Sequence, residues 1–252
     1  MKGLKQIIWP AVAGVFLLIT TQAPAALAGV GPGQPCAHGG NPTSTACENG
    51  RNGETYIGAY DNFTDLSMKM DSAGVSGGNH INNEMWFYTH HNESQWVEFG
   101  IREGSWPGNG TCNCGYGRFW ADFNSQGQEF RHLIQFVSNN NGSNHNYEII
   151  RNPNNLNNWD VWLDFNKINT STNQNSSTGY EAQMGLEDSL VTPDSSSSLF
   201  NHSPLEYMAP SGTFFHFSYQ ARWEDFPCAS NPPGYCLHFA SNANDVYEDA
   251  KQ

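Results

Sequence analysis

Apolar and polar residues alternate with a period of two in a series of short runs: Glu84–His90, Gln95–Glu103, Tyr116–Phe123, Phe130–Val137, Tyr147–Arg151, Trp159–Phe165, Tyr180–Glu187 and Phe214–Arg222. Clusters of Gly, Asn and Ser separate them. Successive strand side chains point to opposite faces, so this pattern predicts β-strands joined by turns. Eight or more strands at this spacing imply an all-β sandwich or barrel. With 29 Asn and 25 Gly among 252 residues, helix is disfavoured throughout.

The alternation also sorts side chains by face. In Gln95–Glu103, Val97, Phe99 and Ile101 share one face, and Trp96, Glu98, Gly100 and Arg102 the other. Tyr116–Phe123 divides into Phe119, Ala121 and Phe123 against Arg118, Trp120 and Asp122. Trp159–Phe165 sets Trp159, Val161, Leu163 and Phe165 against Asp160, Trp162 and Asp164, while Tyr180–Glu187 sets Tyr180, Ala182, Met184 and Leu186 against Glu181, Gln183, Gly185 and Glu187. If these strands lie in one sheet with their apolar sets inward, its outer face carries Trp96, Trp120 and Trp162 among Glu98, Asp122, Glu181, Gln183 and Glu187. Aromatic rings stack on sugars or peptide side chains, and paired carboxylates can divide acid and base work. Such a face suits a groove for an extended polymer. A solvated sheet face with half-buried aromatics is the simpler account of the same pattern.

The ends of the chain differ from its middle. Residues 1–28 read as a secretory leader: Lys2 and Lys5, an apolar run from Ile7 to Ile19, and Ala26-Leu27-Ala28 as the cleavage signal. Pro10 interrupts that run, which is too short to span a bilayer, so a secreted, extracellular protein with no membrane partner after leader removal is expected. Residues 29–53 are polar and Pro/Gly-rich and read as a loop or arm, 54–244 as one sandwich domain, and 245–252 as an acidic, frayed tail. The stretch Asp188–Ser203 reads as a mobile Ser-rich flap.

Without the leader, nine basic residues face 24 acidic ones, a net charge of −15. Nucleic acid is thereby excluded as a partner, since phosphate binding needs a basic patch. A monomer is expected. Six cysteines in an exported chain favour disulfides over a metal cluster. Their spacing suggests local clips, Cys36 with Cys47 and Cys228 with Cys236, and leaves Cys112 and Cys114 either with distant partners or as a redox-active pair.

The series Trp96-Val97-Glu98-Phe99-Gly100, Tyr116-Gly117-Arg118-Phe119-Trp120-Ala121-Asp122, Trp159-Asp160-Val161-Trp162 and Gly179-Tyr180-Glu181-Ala182-Gln183-Met184-Gly185-Leu186-Glu187 resembles a group of secreted, uncharacterised bacterial proteins. These are distantly similar to glutamic peptidases of the neprosin and eqolisin type. The resemblance covers about residues 84–222 and implies a concanavalin A-like jelly-roll sandwich of two antiparallel sheets, with the site on a concave face. It also implies two catalytic carboxylates. One, in a Glu-Val-Gly strand of neprosin-like peptidases, matches Glu98 in Val97-Glu98-Phe99-Gly100. The other, in a Gly-Gly-Glu strand, matches Glu187 in Gly185-Leu186-Glu187, where Leu186 replaces the second Gly and Glu181 is the fallback on the same face. The implied chemistry is attack by a Glu-activated water, with a second, protonated Glu donating to the scissile carbonyl.

The expected function is a secreted glutamic-type endopeptidase with catalytic Glu98 and Glu187 or Glu181. Its substrate-binding residues would be Trp96, Trp120, Trp162, Gln183 and Asp122, and its substrate an extracellular polypeptide. The alternative is a non-catalytic module binding an extracellular polysaccharide or other wall polymer, and behind it a glycoside hydrolase, which also needs two carboxylates. No cofactor and no metal is expected. Gly74-Val75-Ser76-Gly77-Gly78 fits a nucleophile-elbow pattern without the flanking strand and helix. His80, His90 and His91 form no zinc-binding spacing, and the Asp61–Asp65 stretch makes no complete calcium loop.

Overall fold

The computed structural model describes residues 43–49, 55–64, 68–70, 80–90, 95–104, 116–137, 143–188, 195–197, 200–217, 221–224, 234–239 and 246–251. The described residues form strands, turns and no helix. One sheet has seven strands in the order β16 (Ala221–Glu224), β1 (Thr43–Asn49), β11 (Glu181–Asp188), β4 (His80–Tyr88), β5 (Trp96–Gly104), β6 (Tyr116–Phe123) and β7 (Glu129–Val137). The second runs β10 (Asn166–Ser171), β9 (Trp159–Leu163), β8 (Asn144–Arg151), β2 (Gly58–Thr64), β13 (Phe200–His202), β18 (Val246–Lys251) and β17 (Gly234–Phe239). Onto β2 it adds β14 (Glu206–Met208), which pairs with β15 (Phe214–His216). A small ribbon joins β3 (Met68–Met70) to β12 (Ser195–Ser197). All pairings are antiparallel.

The core lies between the two large sheets. Met85 and Phe87 of β4, Val97, Phe99 and Ile101 of β5, and Ala182, Met184 and Leu186 of β11 meet Ala59 and Phe63 of β2, Tyr147 and Ile149 of β8, and Trp159 and Val161 of β9. Phe99 meets Tyr147 edge-on at 4.8 Å, and Phe87 packs on Trp159 at the same ring separation. Each such buried side chain contributes about 1.5–3 kcal/mol, which is why the apolar half of each alternation fixes the strand's orientation.

Three segments depart from the sequence reading. Thr43–Asn49, expected within a loop or arm, is β1, inserted between β11 and β16. The tail expected to fray supplies β18, hydrogen-bonded to both β13 and β17. The run Phe214–Arg222 is two strands rather than one: β15 belongs to the second sheet and β16 to the first. The Ser-rich stretch contributes β12 and β13. The leader and the cysteine pairings lie outside the described residues, except that Cys47 and Cys236 are placed by backbone in β1 and β17.

The closest approach that matters for the site is at Gly100. It stands opposite Glu84, and a Cβ there would lie 2.3 Å from the Asn83 carbonyl oxygen and 2.4 Å from Glu84 Cβ. Gly100→Ala must therefore push β4 from β5, and a loss of about 1–3 kcal/mol is expected. Urea unfolding should show a lower midpoint, and a midpoint equal to the parent's would mean that the two strands tolerate the wider spacing.

Candidate active site

The face of the seven-stranded sheet turned away from the core carries the acids. Three rows cross it from β11 through β4 to β5: Gln183, Trp86 and Glu98; Gly185, Glu84 and Gly100; Glu187, Asn82 and Arg102. Glu84 thus has a glycine on each side. Glu98 and Glu187 are its diagonal neighbours on opposite sides, at a spacing of about 7–8 Å between Cα atoms.

Glu98 and Glu187 are not cross-strand partners, because β4 lies between their strands. Glu84 fills the gap. The amide of Asn82 ties the centre together: Nδ2 donates to Glu84 Oε1 at 2.9 Å and to Glu187 Oε1 at 3.4 Å. The two carboxylates therefore share one donor, and their oxygens stand no farther apart than the sum of those distances. His80 Nε2 lies 3.0 Å from the same Glu187 oxygen. On the other flank, the indole Nε1 of Trp96 donates to Glu98 Oε1 at 2.7 Å. Trp96 is itself stacked on Phe123 at 3.9 Å. Trp86, Tyr88 and Tyr180 form an apolar cluster against it.

These acids are withdrawn from water. Glu84 is 0%, Glu98 4% and Glu187 9% exposed. Burial, with the neighbouring Glu187 charge next, pushes Glu98 up to about 8. Burial pushes Glu84 well above the usual carboxylate range, and the charges of Glu98 and Glu187 act in the same direction. Glu98 is therefore mostly a carboxylic acid at neutral pH, and Glu84 is shifted toward its protonated form by the same causes. Glu84 Oε2 and Glu98 Oε2 have no hydrogen-bond partner among the described residues. Each Oε1 accepts a bond, which leaves Oε2 as the oxygen suited to carry a proton. Arg102, in the row of Asn82, is lowered to about 9 by burial and by the like charge of Arg131. Arg131 pairs with Glu129.

Of the other residues singled out from sequence, Gln183 and Glu181 lie on this face, joined by the Gln183 amide donating to Glu181 Oε1. Glu181 stands at the level of Tyr88, six residues along β11 from Glu187, and belongs to a different part of the face. Trp120, Asp122 and Trp162 do not belong to the face. Trp120 pairs with Phe99 in register and is buried between the sheets, stacked on His132 at 4.0 Å. Asp122 is buried on the same inner side and accepts bonds from Ser171 Oγ at 2.6 Å and Asn173 Nδ2 at 2.9 Å. Alternation shows which residues of β6 go together, but only packing decides which set turns inward: Phe119 and Ala121 take the outer side. Trp162 lies in the other sheet, opposite Glu148 and Lys167.

The strip of Trp96, Trp120 and Trp162 is thus absent; the acidic face carries Trp86 and Trp96, and the register puts Trp223 of β16 in the row of Gly185 and Glu84 through Thr45. Asp61, considered for a calcium loop, points into the core and is bonded to His202 Nδ1 at 2.6 Å. Among the described residues no group of His, Cys, Asp or Glu is arranged to hold a metal ion. Glu84 and Asn82 were missed as site residues. The signal was present: the alternation of Glu84–His90 puts Glu84, Trp86 and Tyr88 on one face against Met85 and Phe87.

The raised carboxyl makes stability depend on pH. Below the ordinary value of 4.5, Glu98 is protonated folded or unfolded; between 4.5 and about 8 only the folded state keeps the proton. Stability therefore falls as pH rises through that window, and Glu84 acts in the same sense. The urea midpoint should decline from pH 4.5 to 8, and Glu98→Gln should flatten part of the decline. A parent midpoint that rises over this range would show that Glu98 is ionised in the fold.

No protein-family model and no curated protein sequence matches the chain. Among solved structures, scytalido-glutamic peptidase bound to a transition state analog inhibitor superposes with a TM-score of 0.57 and 8% identity, covering 84% of this chain and 99% of that one. SCP-B, a member of the eqolisin family of peptidases in complex with a tripeptide, superposes with a TM-score of 0.55 at the same identity and coverage. A Bacillus licheniformis β-glucanase matches at a TM-score of 0.36 and 14% identity, over 82% of this chain and 70% of its own. The fold is a concanavalin A-like sandwich of two antiparallel sheets, shared with the glutamic peptidases.

Proposed function

We propose that this protein is an acid-acting endopeptidase of the glutamic type, with Glu187 as base and Glu84 as acid. The observation that carries the reading is the shared amide of Asn82, which brings a buried, protonated carboxyl and a second carboxylate onto one donor. Two acids held apart in protonation are what water activation without a covalent intermediate requires.

In the reaction, Glu187 takes a proton from water as the water oxygen bonds to the scissile carbonyl carbon. Glu84 gives its Oε2 proton to the carbonyl oxygen. When the tetrahedral species collapses, the C–N bond breaks, the proton on Glu187 passes to the leaving nitrogen, and Glu84 recovers its own from the hydroxyl. Both side chains end as they began. Glu98, fixed by Trp96, is a second protonated carboxyl farther along the groove, in reach of a substrate backbone. Trp86, Tyr88 and Trp96 supply the apolar wall beside it. The reading includes export and action on extracellular polypeptide as a monomer, for which the leader-like N-terminus and the cysteine content are the support.

Digestion of a denatured protein mixture from pH 3 to 7 tests the assignment. The parent should release peptides at acid pH. Glu187→Gln and Glu84→Gln should each lose about 10²–10⁴-fold in rate, the usual worth of a positioned acid or base. Glu98→Gln should lose far less, and Trp162→Ala should behave as the parent. A Glu98→Gln variant as dead as Glu187→Gln would move the acid from Glu84 to Glu98. No cleavage by the parent at any pH would end the peptidase reading.

A further inference from the structure

The residue behind Glu187 is a histidine that the spacing of the sequence did not connect to any site. His80 opens β4, and its Nε2 lies 3.0 Å from Glu187 Oε1 across the β4–β11 pairing, with both side chains largely buried. We propose that His80 is a positioning residue for the reaction: it donates Nε2–H to Glu187 Oε1 and holds that carboxylate ionised and oriented as the base. The inference rests on the peptidase reading for its catalytic meaning.

The geometry admits two versions of the contact, an ion pair or a neutral hydrogen bond. The surroundings decide. His80 is faced by Glu187 from β11, by Arg102 from β5 and by Arg131 from β7, with Glu84 on its own strand. Burial is the largest influence and lowers His80, the two guanidinium groups lower it further, and Glu187 opposes them. The surroundings therefore favour the neutral imidazole. A neutral imidazole facing a carboxylate through Nε2 must carry its hydrogen there.

Two consequences separate this arrangement from a simple packing contact. Glu187 Oε1 receives two donors, His80 Nε2 and Asn82 Nδ2, and donors to a carboxylate favour its charged form. The donor is also buried, which moves its uptake of a second proton to lower pH than in an exposed histidine. The base then favours its ionised form, while Glu84, which shares the Asn82 amide with it, favours the protonated one.

The test uses the full chain and two variants, His80→Leu, which removes the donor, and His80→Gln, which keeps one. Rates against pH 3 to 7 on a fluorogenic peptide mixture should show kcat about 10–100-fold lower in His80→Leu, as for lost orienting groups elsewhere, with KM little changed. The pH at which activity appears should move upward, and His80→Gln should recover most of both effects.

A second readout does not depend on turnover: with glutamate labelled at the side-chain carboxyl carbon, the Glu187 resonance, identified by its loss in Glu187→Gln, should titrate at higher pH in His80→Leu than in the parent. If the titration moves but no protein cleaves peptides, His80 holds Glu187 and the peptidase reading fails. If peptides are cleaved and the titration stays where it was in the folded His80→Leu chain, the role given to His80 is overturned.

Discussion

Everything particular to this sandwich follows from placing Glu84, Glu98 and Glu187, with Glu181 farther along β11, on one sheet face and keeping them out of water. An isolated buried carboxylate costs several kcal/mol of lost hydration, so burial selects the protonated form unless donors are supplied. Glu84 and Glu98 receive one donor each and remain acids. Glu187 is placed against two. Chemically identical side chains become different reagents because of what stands beside them.

The backbone arranges this through glycine. Gly185 and Gly100 stand on either side of Glu84, so the middle acid lies across two positions that have no side chain. Both glycines belong to the short motifs around Glu98 and Glu187. Their function is not to bend the strands, which pair in regular register here, but to clear space for a residue on the strand between. The motifs thus describe the walls of a slot whose occupant lies outside them.

This explains how much of the molecule could be read from the sequence. The strand pattern was legible, since Val97, Phe99 and Ile101, or Ala182, Met184 and Leu186, announce their shared face by spacing alone. So was the presence of Glu98, Glu187, Gln183 and Trp96 on one surface. Strand order was not, because the partner of a strand depends on contacts between distant residues. Hence Trp162 fell in the other sheet, Trp120 turned inward against Phe99, and Glu84 stands between Glu98 and Glu187. The polar segment at Thr43 and the acidic segment at Val246 read as loose ends because hydrogen bonding to a sheet edge leaves little mark on composition.

β4 is the middle strand of seven, and it carries His80, Asn82, Glu84, Trp86 and Tyr88. Local opening of a sheet starts at its margins and reaches the centre last. β7, with Phe130, Leu133 and Phe136 exposed, and the distant β10 can fray without moving the acids. Under the proposed peptidase reading, the chemistry and the fold are lost in the same event. Partly opened molecules would keep an intact centre, and molecules open enough to be digested would no longer be able to digest others.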